Sequence, residues 1–204
     1  MIIFFMRIII LLVIPNLVFA YEFKTYSTEN NPKSCGLDVV VKYPEFYKSL
    51  EGDRPHVVRK FSYKDGDISN LMMIVIRDID KNEFKEISNY SSSELIKLIK
   101  SFFEGSNINI NDIYNTEIEG ERSVILDGDM EARRINLTMY SELIHSIIFY
   151  DNRLIDLQCS SSSVIKDNDV SINDKKIVKE YWNKKGKQAC LEYINSVNIM
   201  NKYK

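Results

Sequence analysis

Apolar and polar residues alternate along most of this chain, and in two stretches the period shifts from two to about 3.6. In LDVVVKYP, Val39, Val41 and Tyr43 share one face before Pro44 ends the run. HVVRKFSYKDGD sets Val57, Arg59, Phe61 and Tyr63 against Val58, Lys60 and Ser62, and Asp65-Gly66 predicts a hairpin turn. NLMMIVIRDI is apolar on both faces, the pattern of a central strand covered on both sides. The spacing then predicts a helix. Ser91-Ser92-Ser93-Glu94 has the Ser-x-x-Glu form of a capping box, Leu95, Leu98, Ile99, Phe102 and Phe103 form an apolar stripe, and Gly105 is a stop.

Strands return from Ile108. Ile108 to Ile118 is a weak one, and SVILDGD is expected to turn at Asp127-Gly128. RRINLTMY puts Ile135, Leu137 and Met139 on one face and Arg134, Asn136, Thr138 and Tyr140 on the other. LIHSIIFY and LIDLQC flank Asp151-Asn152 as a tight antiparallel hairpin. The serine run Ser160 to Ser163 is expected to open a polar loop through Asp169. In the last segment Val178, Trp182, Ala189, Cys190, Tyr193, Ile194 and Val197 keep one helical phase across Gly186. That is one helix kinked near Lys184-Lys185-Gly186, or two short ones.

The order strands, helix, strands, helix predicts an α+β fold: an antiparallel sheet layered with helices, an α/β/α sandwich, in one domain over residues 37–198. Residues 21–36, with Asn30-Asn31-Pro32, read as a flexible lead-in, and 199–204 as a tail. Residues 1–20 read as a secretory signal peptide. Arg7 precedes the apolar run Ile8 to Ile14, Pro15-Asn16 breaks it, and Val18-Phe19-Ala20 suits cleavage after Ala20. The alternative is an uncleaved anchor, but the uninterrupted apolar run is shorter than the ~20 residues a bilayer span needs. No later segment could serve, so no stable membrane anchor is expected after cleavage.

Composition changes the picture little. A formal net charge of −2 with mixed signs does not point to nucleic acid or an anionic lipid surface. Seven glycines, four prolines and 45% hydrophobic residues fit a folded globule. The abundance of Ile, Asn and Lys reads as an AT-rich bacterial coding bias; for a bacterial chain with a cleaved signal peptide, the expected compartment is the periplasm or beyond.

The layout of LDVVVKYP, a meander, a mid-chain helix, then ARRINLTMY, IHSIIFYDNRLIDLQC and a terminal CLEYINSV resembles the PsbP/Mog-type α/β/α sandwich over residues 37–198. Small secreted bacterial proteins share that layout. The resemblance implies a binding or accessory module, with roles such as toxin immunity or envelope assembly, and it brings no catalytic motif to carry over. Fold alone does not give function.

Candidate chemistry is sparse. Cys159 alternates with Ile155 and Leu157, and Cys190 lies on the apolar stripe of the last helix, so in an oxidising compartment a Cys159–Cys190 disulfide is the expected pair. Cys35–Cys159, Cys35–Cys190 and no bridge are the alternatives; Cys35 is the expected odd one out. His145 shares a strand face with Leu143, Ile147 and Phe149, where a hydrogen-bonded core or rim role is expected, and His56 is expected at the surface. Ser160 to Ser163 lack a Gly-x-Ser-x-Gly elbow. Asp78-Ile79-Asp80-Lys81-Asn82 imitates an EF-hand start, but Glu83 stands where glycine should and Asn89 where glutamate should. No zinc spacing and no phosphate-binding glycine loop occur, so no metal or cofactor is expected. Tyr43, Phe46, Tyr47, Phe61 and Tyr63 read as core and sheet edge, or as an aromatic recognition patch. The first functional expectation is a secreted or periplasmic, non-enzymatic module that binds a protein partner. The alternative is a small secreted hydrolase with Asp127, Asp129 and Glu131 as acid/base groups.

Overall fold

The computed structural model describes residues 22–134, 137–165 and 171–203. The expected signal segment 1–20 lies outside the described residues. In chain order the elements are β1 (Phe23–Ser27), β2 (Val39–Pro44), β3 (Lys48–Glu51), β4 (Val57–Asp65), β5 (Ile68–Asp78), α1 (Lys81–Asn89) and α2 (Ser92–Phe102). Then come β6 (Ile108–Ile118), β7 (Glu121–Arg134), β8 (Leu137–Tyr150), β9 (Arg153–Ile165), α3 (Ile172–Tyr181), α4 (Lys187–Asn195) and β10 (Asn198–Ile199). The main sheet has seven antiparallel strands in the order β3-β4-β5-β9-β8-β7-β6, and β1-β2-β10 form a small second sheet. The fold is α+β in a single domain.

Strand alternation sorts the core into two layers. Ile144 and Ile148 of β8 join Ile155, Leu157 and Cys159 of β9 beneath Trp182, Cys190, Tyr193 and Ile194. Their neighbours Leu143, Ile147 and Phe149 face the other way, against Ile87 of α1 and Leu95 and Ile99 of α2. The sheet therefore has helices on both faces. Val39, Val41 and Tyr43 are buried on one face as the pattern expects, but β2 belongs to the small sheet, which closes the Cys190 side.

One turn and one helix start follow the chemistry of their residues. Asp151 and Asn152 both take positive φ, 43° and 56°, so β8 and β9 meet through a two-residue turn that pairs Tyr150 with Arg153. Ser91 caps α2, accepting from the Glu94 N–H while the Glu94 carboxylate accepts from the Ser91 N–H at 2.7 Å.

Five expectations need correction. The serine run does not open a loop: Ser160 to Ser163 lie inside β9, paired with β5 on one side and β8 on the other. Ser161 donates to Asn70 at 2.6 Å and Ser162 shares a hydrogen bond with Ser141 at 2.7 Å, which satisfies their buried hydroxyls. Asp127-Gly128 is not a turn. β7 runs through it, and a Cβ on Gly128 would sit 2.5 Å from the Asn109 carbonyl oxygen, beside a bulge in β6. The β6–β7 reversal falls at Glu119 and Gly120, both at positive φ. RRINLTMY is not one strand. Arg134 of β7 pairs with Leu137 of β8, and residues 135–136, on which the facing of Ile135 and Asn136 rested, lie outside the described residues.

The stretch before Leu37 is not a loose lead-in. Phe23–Ser27 pairs with β2, Tyr26 packs on Phe61, and Thr28 is fully buried with its hydroxyl bonded to Leu37 O and Val39 N. Nor is 199–204 simply a tail. Ile199 pairs with Val39, the Met200 N–H donates to Asp38 O at 2.9 Å, and Lys202 pairs with Glu121 at 2.7 Å.

The last helical segment is one continuous rod. A π turn, Trp182–Gly186, joins α3 to α4. A π turn adds a residue to the helix. Here it brings both Trp182 and Gly186 inward, where each is buried.

Candidate functional site

The aromatic residues of the first half form a graded stack that runs from the core to the surface. Tyr43 stacks on Phe61 with centroids 4.2 Å apart, and Phe61 meets Tyr193 edge-on at 6.1 Å. Outward from there, Phe46 meets Tyr63 at 4.5 Å and Tyr47 at 5.3 Å. Tyr43 and Phe61 are thus core, whereas Phe46 is 41% exposed. Phe46, Tyr47 and Tyr63 form one wall of a cleft of about 400 Å³, and Tyr181, Lys185, Gly186 and Ala189 form the other. The sequence pattern offered core or recognition patch; Tyr43, Tyr47 and Phe61 are core, and Phe46 and Tyr63 join Tyr47 along the cleft.

The π turn sets the second wall. A Cβ on Gly186 would lie 2.5 Å from Ser161 Oγ and 2.7 Å from the Trp182 ring, so only glycine lets the rod lie this close to β9. Tyr181 accepts from Asn70 Nδ2 at 3.0 Å, and burial pushes its phenol up to about 12. It stays neutral, with its hydroxyl fixed. Lys185 sits 5.7 Å over the Tyr181 ring and pairs with Asp65 at 3.2 Å. The cleft has aromatic walls and one ion pair at its lip.

The three carboxylates considered for acid/base work lie on one face of β7 but do not form a pair in a pocket. Asp127 is bound to Lys187 at 2.6 Å. Asp129 accepts from Asn109 and Asn111 at 3.1 and 3.3 Å. Glu131 pairs with Lys175 at 3.0 Å, which holds its carboxyl below the usual range. Next to them lies Glu142, a carboxylate the pattern did not single out. It is 5% exposed, accepts from the Tyr140 hydroxyl at 2.5 Å, and burial pushes its pKa up.

The histidines part company. His56 is exposed in the turn before β4. His145 is not alone in its apolar row: its Nδ1 lies 3.1 and 3.2 Å from the two carboxylate oxygens of Asp156. Sequence reasoning missed this pair, though a signal existed. Counting back from the two-residue turn at Asp151-Asn152 sets His145 opposite Gln158, one diagonal step from Asp156.

Cys159 and Cys190 form a disulfide with Cα atoms 5.7 Å apart. Cys35 is free and half-buried. Burial and the neighbouring Asp78 push its thiol up, so its thiolate is disfavoured, and no activated nucleophile results. In the EF-hand-like stretch, Asp80 caps α1 through Asn82 N at 2.8 Å and Asp78 pairs with Arg153 at 2.7 Å. Among the described residues no group of three or more candidate ligands converges on one point.

No family model matches the chain. It is 33% identical over 89 residues to the RuvA subunit of the Holliday junction branch migration complex of Prochlorococcus marinus (strain MIT 9301). The match covers 44% of this chain and 38% of that protein's length. Among solved structures, it is similar to LpqN of Mycobacterium tuberculosis, a protein involved in cell envelope biogenesis, at 12% identity. That likeness covers 87% of this chain and 91% of the other with a TM-score of 0.42.

Proposed function

We propose that this chain is an extracytoplasmic binding module that holds a partner protein in its aromatic cleft, in a toxin-immunity or envelope accessory role, on a PsbP/Mog-type layout. The observation that carries the reading is the cleft itself. Clustered aromatic side chains around a half-exposed phenylalanine are the composition of interface hot spots, where a few rigid rings supply most of the binding energy. The Lys185–Asp65 pair at the lip suits the polar rim of such a contact. A Cys159–Cys190 disulfide fits an oxidising compartment, and among the described residues no helix is long and apolar enough to cross a membrane. Binding is favoured over hydrolysis because Asp127 and Glu131 are lysine-paired and Asp129 is held by two asparagine amides.

The test is affinity capture from native envelope with the wild-type chain and with Phe46→Ser in parallel. One stoichiometric partner should be recovered by the wild type and lost with the variant. Equal recovery by both, or none by either, would count against the cleft as the docking site.

A further inference from the structure

A second cleft, of about 290 Å³, lies on the opposite face of the sheet between α1, the end of α2 and strands β5, β9 and β8. We propose that it binds a small, uncharged apolar molecule bearing one hydroxyl group, an aliphatic alcohol in chemical class, with the hydroxyl donated to His145 Nε2.

The His145 and Asp156 side chains are only 11% and 10% exposed. An ionised carboxylate can only accept, so the Nδ1 that faces both Asp156 oxygens carries the proton. Gln158 Nε2 donates to Asp156 Oδ2 at 2.6 Å and fixes the carboxylate in turn. Phe103 packs edge-on against the imidazole at 5.2 Å and fixes its plane. In the Nδ1-protonated tautomer of the neutral imidazole, Nε2 is a bare acceptor. Among the described residues nothing hydrogen-bonds that nitrogen, and His145 lines the cleft. An oriented acceptor on the wall of a mostly apolar cleft suits a ligand that brings one donor.

The remaining lining sets the rest of the ligand. Ile79, Ile87, Phe102, Ile147, Phe149 and Leu154 make the cleft mostly apolar. Asp78 already has Arg153, and Asp156 has His145 and Gln158. Arg77 and Glu83 are exposed and of opposite sign. The enclosed carboxylate, Asp156, is thus already shared and the lining cation, Arg77, is exposed, so the polar group left for a ligand in the interior is Nε2, which suits a neutral hydroxyl. The volume is at the lower end of the ~300–1,000 Å³ typical of small-molecule sites, which limits the ligand to a short chain or single ring.

The experiment titrates the wild-type chain with n-hexanol, n-hexane and hexanoate at about pH 8, above the ordinary histidine range. Proton–nitrogen correlation spectra of the imidazole rings follow the binding. The free protein should show the Nδ1-protonated tautomer for His145. Hexanol should bind saturably and move the His145 Nε2 resonance while leaving His56 unmoved. Hexane should bind about tenfold more weakly for want of one hydrogen bond. His145→Phe should retain hexane binding and lose the preference for hexanol. An Nε2-protonated or doubly protonated His145, equal binding of hexane and hexanol, tighter binding of hexanoate, or no saturable binding would each overturn the proposal. The wild-type comparison of three probes decides the matter even if the variant does not fold.

Discussion

Glu142 is an ionisable side chain enclosed on the α3 face of the sheet, and its environment pulls in two directions. Burial raises its pKa above the ordinary 4.5, and the nearby Asp129 and Asp127 act in the same sense; the Tyr140 hydroxyl and Lys179, 3.9 Å away, favour the ionised form. Burial is the larger effect. The folded chain therefore takes up this proton at a higher pH than the unfolded chain does. The stability it contributes is complete below the unfolded value and is lost as pH rises through the folded one. Glu142→Gln removes the titration while its amide oxygen still accepts from Tyr140. Urea unfolding from about pH 4 to pH 8 should show the variant gaining on the wild type as pH rises, and matching or exceeding it near neutrality. A difference that does not change with pH would refute the assignment. Nothing in the sequence marked this residue. Its neighbours Ser141 and Leu143 look equally ordinary, and only the packing of α3 over β8 takes it out of water. Cys159 and Cys190 were legible for the opposite reason: each sits on an apolar row that its own element must bury, and both rows face the same layer.

At the scale of elements, α2 and α1 make the contrast. The capping box and five-residue apolar stripe of α2 are local, so the sequence pattern finds it. In α1 only Ile87 is buried, and the helix is short and mostly polar. Its ends are held by groups far away or easily read otherwise. Asp80 caps its start, and Arg122 of β7 caps its end by donating to the carbonyls of Ile87, Ser88 and Tyr90 at 3.1, 3.0 and 2.6 Å. An isolated helix of this length is marginal in water, so tertiary contacts decide its existence. Arg122→Ala should cost about 1.5–3 kcal/mol, the range for hydrogen bonds to a charged group. Hydrogen exchange should speed up in Lys81–Asn89 and far less in β8 and β9. Uniform acceleration across all three would mean that Arg122 supports the sheet rather than the helix. The serine segment of β9 failed to read as strand for a related reason. Its stability comes from pairing on both edges and from Asn70 and Ser141, none of which lies near it in sequence.

At the scale of the molecule, the sheet separates two packed layers, and the disulfide ties the middle of the sheet to one of them. β9 is paired on both sides, and Cys159 stands on it facing α4, where Cys190 is fully buried among Tyr193, Ile194 and Trp182. The layered α+β arrangement was legible from the order of strands and helices. The small sheet was not, because it joins β1 to β2 and, across most of the chain, to β10, and such pairings leave no local trace. Those pairings and the bridge act on the same layer: β10 follows α4 directly, so the bridge that anchors α4 to β9 also positions the strand that completes the small sheet. With its ends 31 positions apart in sequence, the bridge should restrict the unfolded chain by about 3–4 kcal/mol. Cys159→Ser/Cys190→Ser should lower the unfolding free energy from urea titration by that amount, and exchange should rise first in α4 and β10, leaving the α1–α2 layer protected until global unfolding. A thiol count on denatured, unreduced protein should give one, from Cys35. Three thiols would remove the bridge from the argument, and a variant as stable as the wild type would show that β10 and α4 are held by packing alone.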